Sequence, residues 1–98
     1  MRESPLQSKL HKALDTHGIY YVKIVVASKA GGSDTIACVN GIFFAIECKG
    51  TGGYMSDLQK YKRDKILASH GNYLLVTPGN YKESLLKILD IRYSKPTR

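Results

Sequence analysis

The chain has 98 residues and a mass of 10.9 kDa, the length of one small domain, which hides about 60 to 65% of the surface its unfolded chain exposes. Fifteen Lys and Arg against 8 Asp and Glu give a formal charge of +7, while 43% hydrophobic residues argues against disorder, so a polyanion is the expected partner, nucleic acid before an acidic membrane. The apolar runs Ile24 to Ala27 and Ile42 to Ile46 fall far short of the ~20 residues of a membrane span, and no secretory h-region stands at the amino end. Two cysteines, Cys38 and Cys48, and three histidines, His11, His17 and His70, are too few and too scattered for a paired zinc pattern or a disulfide scaffold. The expectation is a soluble cytoplasmic protein without membrane contact, in a bacterial or phage-infected cell.

In chain order, Ser4 and Pro5 read as the N-cap and first turn of a helix whose Leu6, Leu10 and Leu14 recur at spacing four until Gly18 stops it. Ile19 to Val26 is β-branched and aromatic, a buried strand, and residues 28–33 break it. Asp34 to Val39 and Ile42 to Lys49 flank Asn40-Gly41, a hairpin signal because both turn residues tolerate positive φ. Gly50 to Gly53 reads as a mobile loop that matches neither the Walker A spacing nor the dinucleotide fingerprint. Ser56 with Gln59 forms a capping box opening a helix that ends near His70-Gly71, and Tyr73 to Thr77 is a further strand. After the Pro78-Gly79 turn, Asn80 with Glu83 makes a second capping-box pattern before a helix lined by Leu85, Leu86, Ile88 and Leu89, and residues 94–98 form a flexible tail. The order α-β-β-β-α-β-α predicts an α/β chain of the α+β, mixed-sheet kind, a single domain over residues 1–98.

The hairpin carries the informative constellation. A two-residue turn sets Val39 opposite Ile42, and that register carries Asp34 to a position opposite Glu47. Directly opposed side chains have Cβ atoms about 4.5 to 5.5 Å apart, where like charges repel unless a cation lies between them. Alternation brings Lys49 onto the same face and sends Cys48 to the other. Solvated strand-end charges neutralised by Lys49 would explain the same residues. The two thiols lie on opposite faces and read as small core residues.

Glu3 falls on the stripe of Leu6, Leu10 and Leu14 and would face the sheet, or else it sits beside a helix amino terminus where negative charge is favourable. Gln59 is explained by its capping box alone. Lys60, Lys62, Arg63 and Lys65 form either a solvated helix face or, with Lys29, a surface for phosphates, and the seven tyrosines are core edges apart from Tyr54, which could stack on a base. The three histidines receive no role.

Gly32-Ser33-Asp34, a hairpin, then Ile46-Glu47-Cys48-Lys49 within α-β-β-β-α-β resembles the PD-(D/E)XK nuclease superfamily, and more narrowly its stand-alone VRR-NUC domains. Glu3 with Gln7 and Ser56 with Gln59 match two further elements of that pattern, so the likeness spans residues 3 to about 77. Ser33 departs from it, since proline usually precedes the aspartate. The resemblance implies a restriction-endonuclease-like core and a Mg²⁺- or Mn²⁺-dependent phosphodiesterase. It implies Asp34, Glu47 and the main-chain carbonyl of Cys48 as ligands, with Glu3 acting through water or positioning a second ion. Lys49 would lower the pKa of the attacking water or stabilise charge on the phosphate, and Gln59 would orient Lys49 or the water.

The expected function is a metal-dependent, structure-selective DNA endonuclease of phage type. A homodimer resolving four-way (Holliday) junctions is preferred to flap, nick or generic DNA cleavage, with no small-molecule cofactor. The competing class is a basic nucleic-acid-binding domain without catalysis. That binder has no need of the Asp34, Glu47 and Lys49 trio.

Overall fold

The computed structural model describes residues 3–25 and 33–94, and for residues 3, 4, 25, 33 and 34 it describes the backbone alone. The elements run α1 (Glu3–Thr16), β1 (Tyr20–Val25), β2 (Ser33–Val39), β3 (Ile42–Cys48), α2 (Asp57–Ala68), β4 (Asn72–Val76) and α3 (Tyr81–Arg92), a compact α+β domain with one mixed sheet and three helices. The strands lie in the order β1-β2-β3-β4, the first three antiparallel and β4 parallel to β3. A parallel step needs a crossover, and α2 supplies it. Among the described residues no helix is long and apolar enough to cross a membrane.

Alternation divides the sheet into two unlike faces. One carries Ala37, Val39, Phe44, Ile46, Cys48 and Val76, all buried, and α1 and α3 cover it with Leu6, Leu10, Leu14 and Ile88, each 1% exposed or less. The spacing-four leucines thus do what their periodicity predicts. At roughly 1.5 to 3 kcal/mol for each large apolar side chain removed from water, this layer holds most of the folding free energy. The other face carries Val22, Ile24, Ile36, Cys38, Phe43, Ala45 and Glu47 and, among the described residues, meets only α2, a helix without one buried residue.

The hairpin register is the one the turn dictates, Val39 opposite Ile42 and onward to Thr35 opposite Ile46. Asn40 at φ 54° and Gly41 at φ 82° both take the left-handed region that a two-residue turn requires. The Asn40 amide also donates to the Ile91 and Ser94 carbonyls, tying the turn to the end of α3.

Several local expectations need correction. Helix α1 begins at Glu3, so Ser4 lies inside the helix rather than capping it. Asn80 does not cap α3 with its side chain, because Thr77 and Ser84 compete for it: its carbonyl oxygen accepts from the Thr77 amide and the Ser84 hydroxyl, and its amide donates to the Leu75 carbonyl. Helix α2 ends where expected, at Ala68 just before His70-Gly71, with His70 in the left-handed position at φ 63°. The His70 amide bonds to the Leu67 carbonyl and the Gly71 amide to that of Ile66, a Schellman closure. Gly71 is needed because a Cβ there would lie 2.9 Å from Ile66 Cγ2.

The hairpin strands, apolar on both faces in sequence, differ in cover: β3 is buried on both faces from Phe44 to Cys48, whereas Ile36 of β2 is only half-buried on the second face and Cys38, expected in the core, is exposed. Tyr20, Tyr54, Tyr61 and Tyr93 are exposed as well. The 28–33 break falls mostly outside the described residues, as does the 94–98 tail apart from Ser94.

Candidate functional site

Glu47 ends the second face of the sheet, one residue before the last of β3, and is 2% exposed. A buried carboxylate forfeits several kcal/mol of hydration unless partners replace it. Lys49 Nζ approaches Glu47 Oε2 at 3.8 Å, a loose ion pair, and Gln59 Nε2 donates to the same oxygen at 3.1 Å. A structural ion pair of this burial would be expected to close further than 3.8 Å. Gln59 and Lys49 thus both reach the same carboxylate oxygen and fix the carboxylate in place.

Gln59 performs two tasks at once. Its side-chain oxygen accepts from the Ser56 amide at 2.8 Å, while its own amide hydrogen-bonds to Ser56 Oγ at 3.2 Å, completing the capping box. The free end of the same side chain reaches Glu47. The structure thus adds Glu47 as a partner of Gln59, beside the Lys49 or water that the resemblance implies. A cavity of about 30 Å³ opens beside this contact, lined by Glu47, Gln59, Lys62 and Ile66 among others.

Lys49 lies just past β3, its backbone amide bonded to the Val76 carbonyl. The following loop contains a hydrogen-bonded turn. The Gly53 amide bonds to the Gly50 carbonyl at 3.0 Å and Gly52 sits at φ 79°, which matches a type II turn. A Cβ on Gly53 would come within 3.3 Å of Lys49 Cβ, so the turn folds directly against the lysine.

Asp34 belongs to β2, one residue beyond the Thr35 and Ile46 pair, and continuing that register sets its backbone opposite Glu47. Glu3 is the first residue of α1, one turn before the buried Gln7. The side chains of Glu3 and Asp34 lie outside the described residues, as does Lys29 entirely. Among the described residues, no three His, Cys, Asp or Glu side chains gather as a metal set. Cys48 is fully buried, its side chain on the core face, which leaves only its backbone to serve the site.

The basic residues of α2 do not form one stripe. At 100° per residue Lys62 and Lys65 lean to the side of Phe43 and Ile24, with Tyr61 beside them, whereas Lys60 and Arg63 lie on the other flank, Arg63 touching Met55 Sδ at 3.9 Å and Asp64 at 3.1 Å. Tyr54 is 84% exposed in the segment between the glycine turn and α2.

One contact was assigned nothing by sequence. His11 Nε2 lies 2.7 Å from the hydroxyl of fully buried Thr35, the residue after Asp34, and its ring stacks on Tyr21 at 4.5 Å. Partial burial, reinforced by the charge of Lys23 and opposed by Asp15, holds the imidazole pKa below its ordinary value.

Comparison with family models, with curated proteins and with solved structures finds no match for this chain.

Proposed function

We propose that the chain is a metal-dependent DNA endonuclease with a PD-(D/E)XK core of the VRR-NUC kind. The observation that carries this reading is Glu47: a buried carboxylate with Lys49 and Gln59 at its side, next to Ile46, the last residue of β3 paired to β2, so that continuing the register by one step brings a second acid, Asp34, opposite it. Two register-opposed acids weaken a fold unless a cation is to be bound between them.

The donor set fits Mg²⁺ or Mn²⁺, hard ions that prefer oxygen. Asp34, Glu47 and the Cys48 carbonyl would hold the ion, with Glu3 contributing from α1. When bound, it supplies positive charge at the scissile phosphate and acidifies a nearby water. The chain's own residues do the rest. Gln59 keeps the Glu47 carboxylate at a fixed angle, and the ordered Gly50 to Gly53 turn backs Lys49. Lys49 extends an ammonium toward the site and stabilises the extra negative charge as a water oxygen attacks phosphorus and the ester bond to one strand breaks. The products are a phosphate monoester and a free hydroxyl.

The substrate class proposed is branched DNA, four-way junctions first, with a homodimer giving two symmetric cuts. Strand β1 is a sheet edge with Tyr20 and Val22 exposed, surface suited to a second copy. The test is incubation of labelled junction, flap, duplex and single strand with Mg²⁺, Mn²⁺ or EDTA, beside Asp34→Ala. Symmetric nicking of the junction, dependent on metal and absent in the variant, is expected. Cleavage in EDTA, or by Asp34→Ala at the normal rate, contradicts the reading. Tight binding with no cutting under any metal favours the non-catalytic basic domain.

A further inference from the structure

Beside Glu47 the described residues leave the second face of the sheet open. Ile24, Ile36, Phe43 and Ala45 floor a groove of about 340 Å³, and α2 walls one side with Tyr61, Lys62 and Lys65. Ile24 is 38%, Phe43 45% and Tyr61 59% exposed, large apolar exposure for one patch of so small a chain. The groove continues past Phe43 to Ser69 and Gly71 at one end, and at the other it shares Ala45, Lys62 and Ile66 with the cavity at Glu47 and Gln59. From Phe43 to Glu47 is four residues of strand, about 13 Å at 3.3 Å per residue, enough for roughly four base steps at 3.4 Å.

We propose that this groove binds an unpaired polynucleotide strand, its bases on Phe43 and Tyr61 and its phosphates on Lys62 and Lys65. Three features choose this occupant. The floor offers apolar and aromatic surface to base faces, which paired bases keep stacked within a duplex and an unpaired strand can present. The wall offers cations one helical turn apart, and Lys65 Nζ already lies 5.7 Å from the Tyr61 ring centroid. Among the described residues no acidic side chain lines the groove, and the chain carries +7, so a second copy would bring like charge to Lys62 and Lys65 where a phosphate chain brings the opposite. The proposal deepens the nuclease reading, on which it rests for the position of the scissile phosphate. A strand in the groove has its end at Glu47, so the cut falls beside an unpaired segment, either the single-stranded arm of a flap or the pairs opened at the crossover of a four-way junction.

The experiment measures binding alone, in EDTA, by fluorescence anisotropy of labelled dT12 and of a 12-base-pair duplex. The proteins compared are wild type, Phe43→Ala and Tyr61→Ala, each checked by circular dichroism and sedimentation equilibrium. The single strand should bind about tenfold tighter than the duplex, and each variant should weaken the single strand by about tenfold while leaving duplex affinity unchanged. Equal affinity for the two forms, or a folded Tyr61→Ala that binds the single strand like wild type, overturns the proposal. So does a wild-type dimer that Phe43→Ala converts to monomer, which would assign the groove to a second copy. Metal-dependent cleavage with no strand preference would remove the groove and leave the nuclease; strand preference without cleavage under any metal would do the reverse.

Discussion

The two faces of the sheet divide the work of this small protein. On the first, Leu6, Leu10, Leu14 and Ile88 close over Phe44, Ile46 and Val76 with almost no exposed surface. On the second, α2 turns Gln59 and Lys62 toward the strands, with Ile66 as its large apolar contact, and the described residues leave the β1 and β2 half open. The described part of the chain seals one layer fully and the other only around Glu47. It concentrates stability on one face, and the other is free to hold a buried acid, its lysine and an open groove.

The division can be broken most directly from the sealed side. Leu10→Ala removes a fully buried side chain from the center of α1 and should lower unfolding free energy by about 2 to 5 kcal/mol in urea titration. The folded fraction should bind metal as before. A loss below about 1 kcal/mol would mean that the two faces share the load more evenly than their burial indicates.

Ser56→Ala sharpens the comparison at the point where fold and site meet. Loss of the cap should cost about 1 kcal/mol, and because Gln59 is held by the same box, turnover should fall while KM changes little. Unchanged turnover would separate the cap from the orientation of Glu47.

The smallest effect concerns His11. Its pKa is lowered on folding, so the unfolded chain binds more protons, and the stability of the neutral form is complete above about pH 6.5 and lost as pH falls toward the folded-state value. The stability difference between wild type and His11→Gln should therefore be largest at neutral pH and shrink on acidification, read from thermal melts across pH 5 to 8. A difference that grows with acid would reverse the sign of the coupling.

Much of this was legible in the chain. Asn40-Gly41 dictates a register, and the register carries Asp34 toward Glu47 with no knowledge of the sheet around them. Ser56 and Gln59 specify their own capping box, but the second task of Gln59 depends on where β3 ends beneath α2 and is invisible in local spacing. The open face was obscured because Ile36, Phe43 and Ala45 read as buried whether or not anything covers them. A signal existed in α2, whose sheetward positions 59, 62 and 66 include one large apolar residue, too little to cover four strands. Asn80 misled because its neighbours Thr77 and Ser84 also hydrogen-bond, and three-residue spacing cannot say which partner wins.

The central claim is that Glu47 is kept for a cation and not for the fold. Thermal melts of wild type and Glu47→Gln, each in EDTA and in Mn²⁺, test it in one experiment. Mn²⁺ should raise the Tm of wild type and leave that of the variant unmoved, while in EDTA the variant should melt at the wild-type temperature or above it, being relieved of a buried charge. A variant that melts several degrees lower in EDTA, or that responds to Mn²⁺ as wild type does, would contradict the claim.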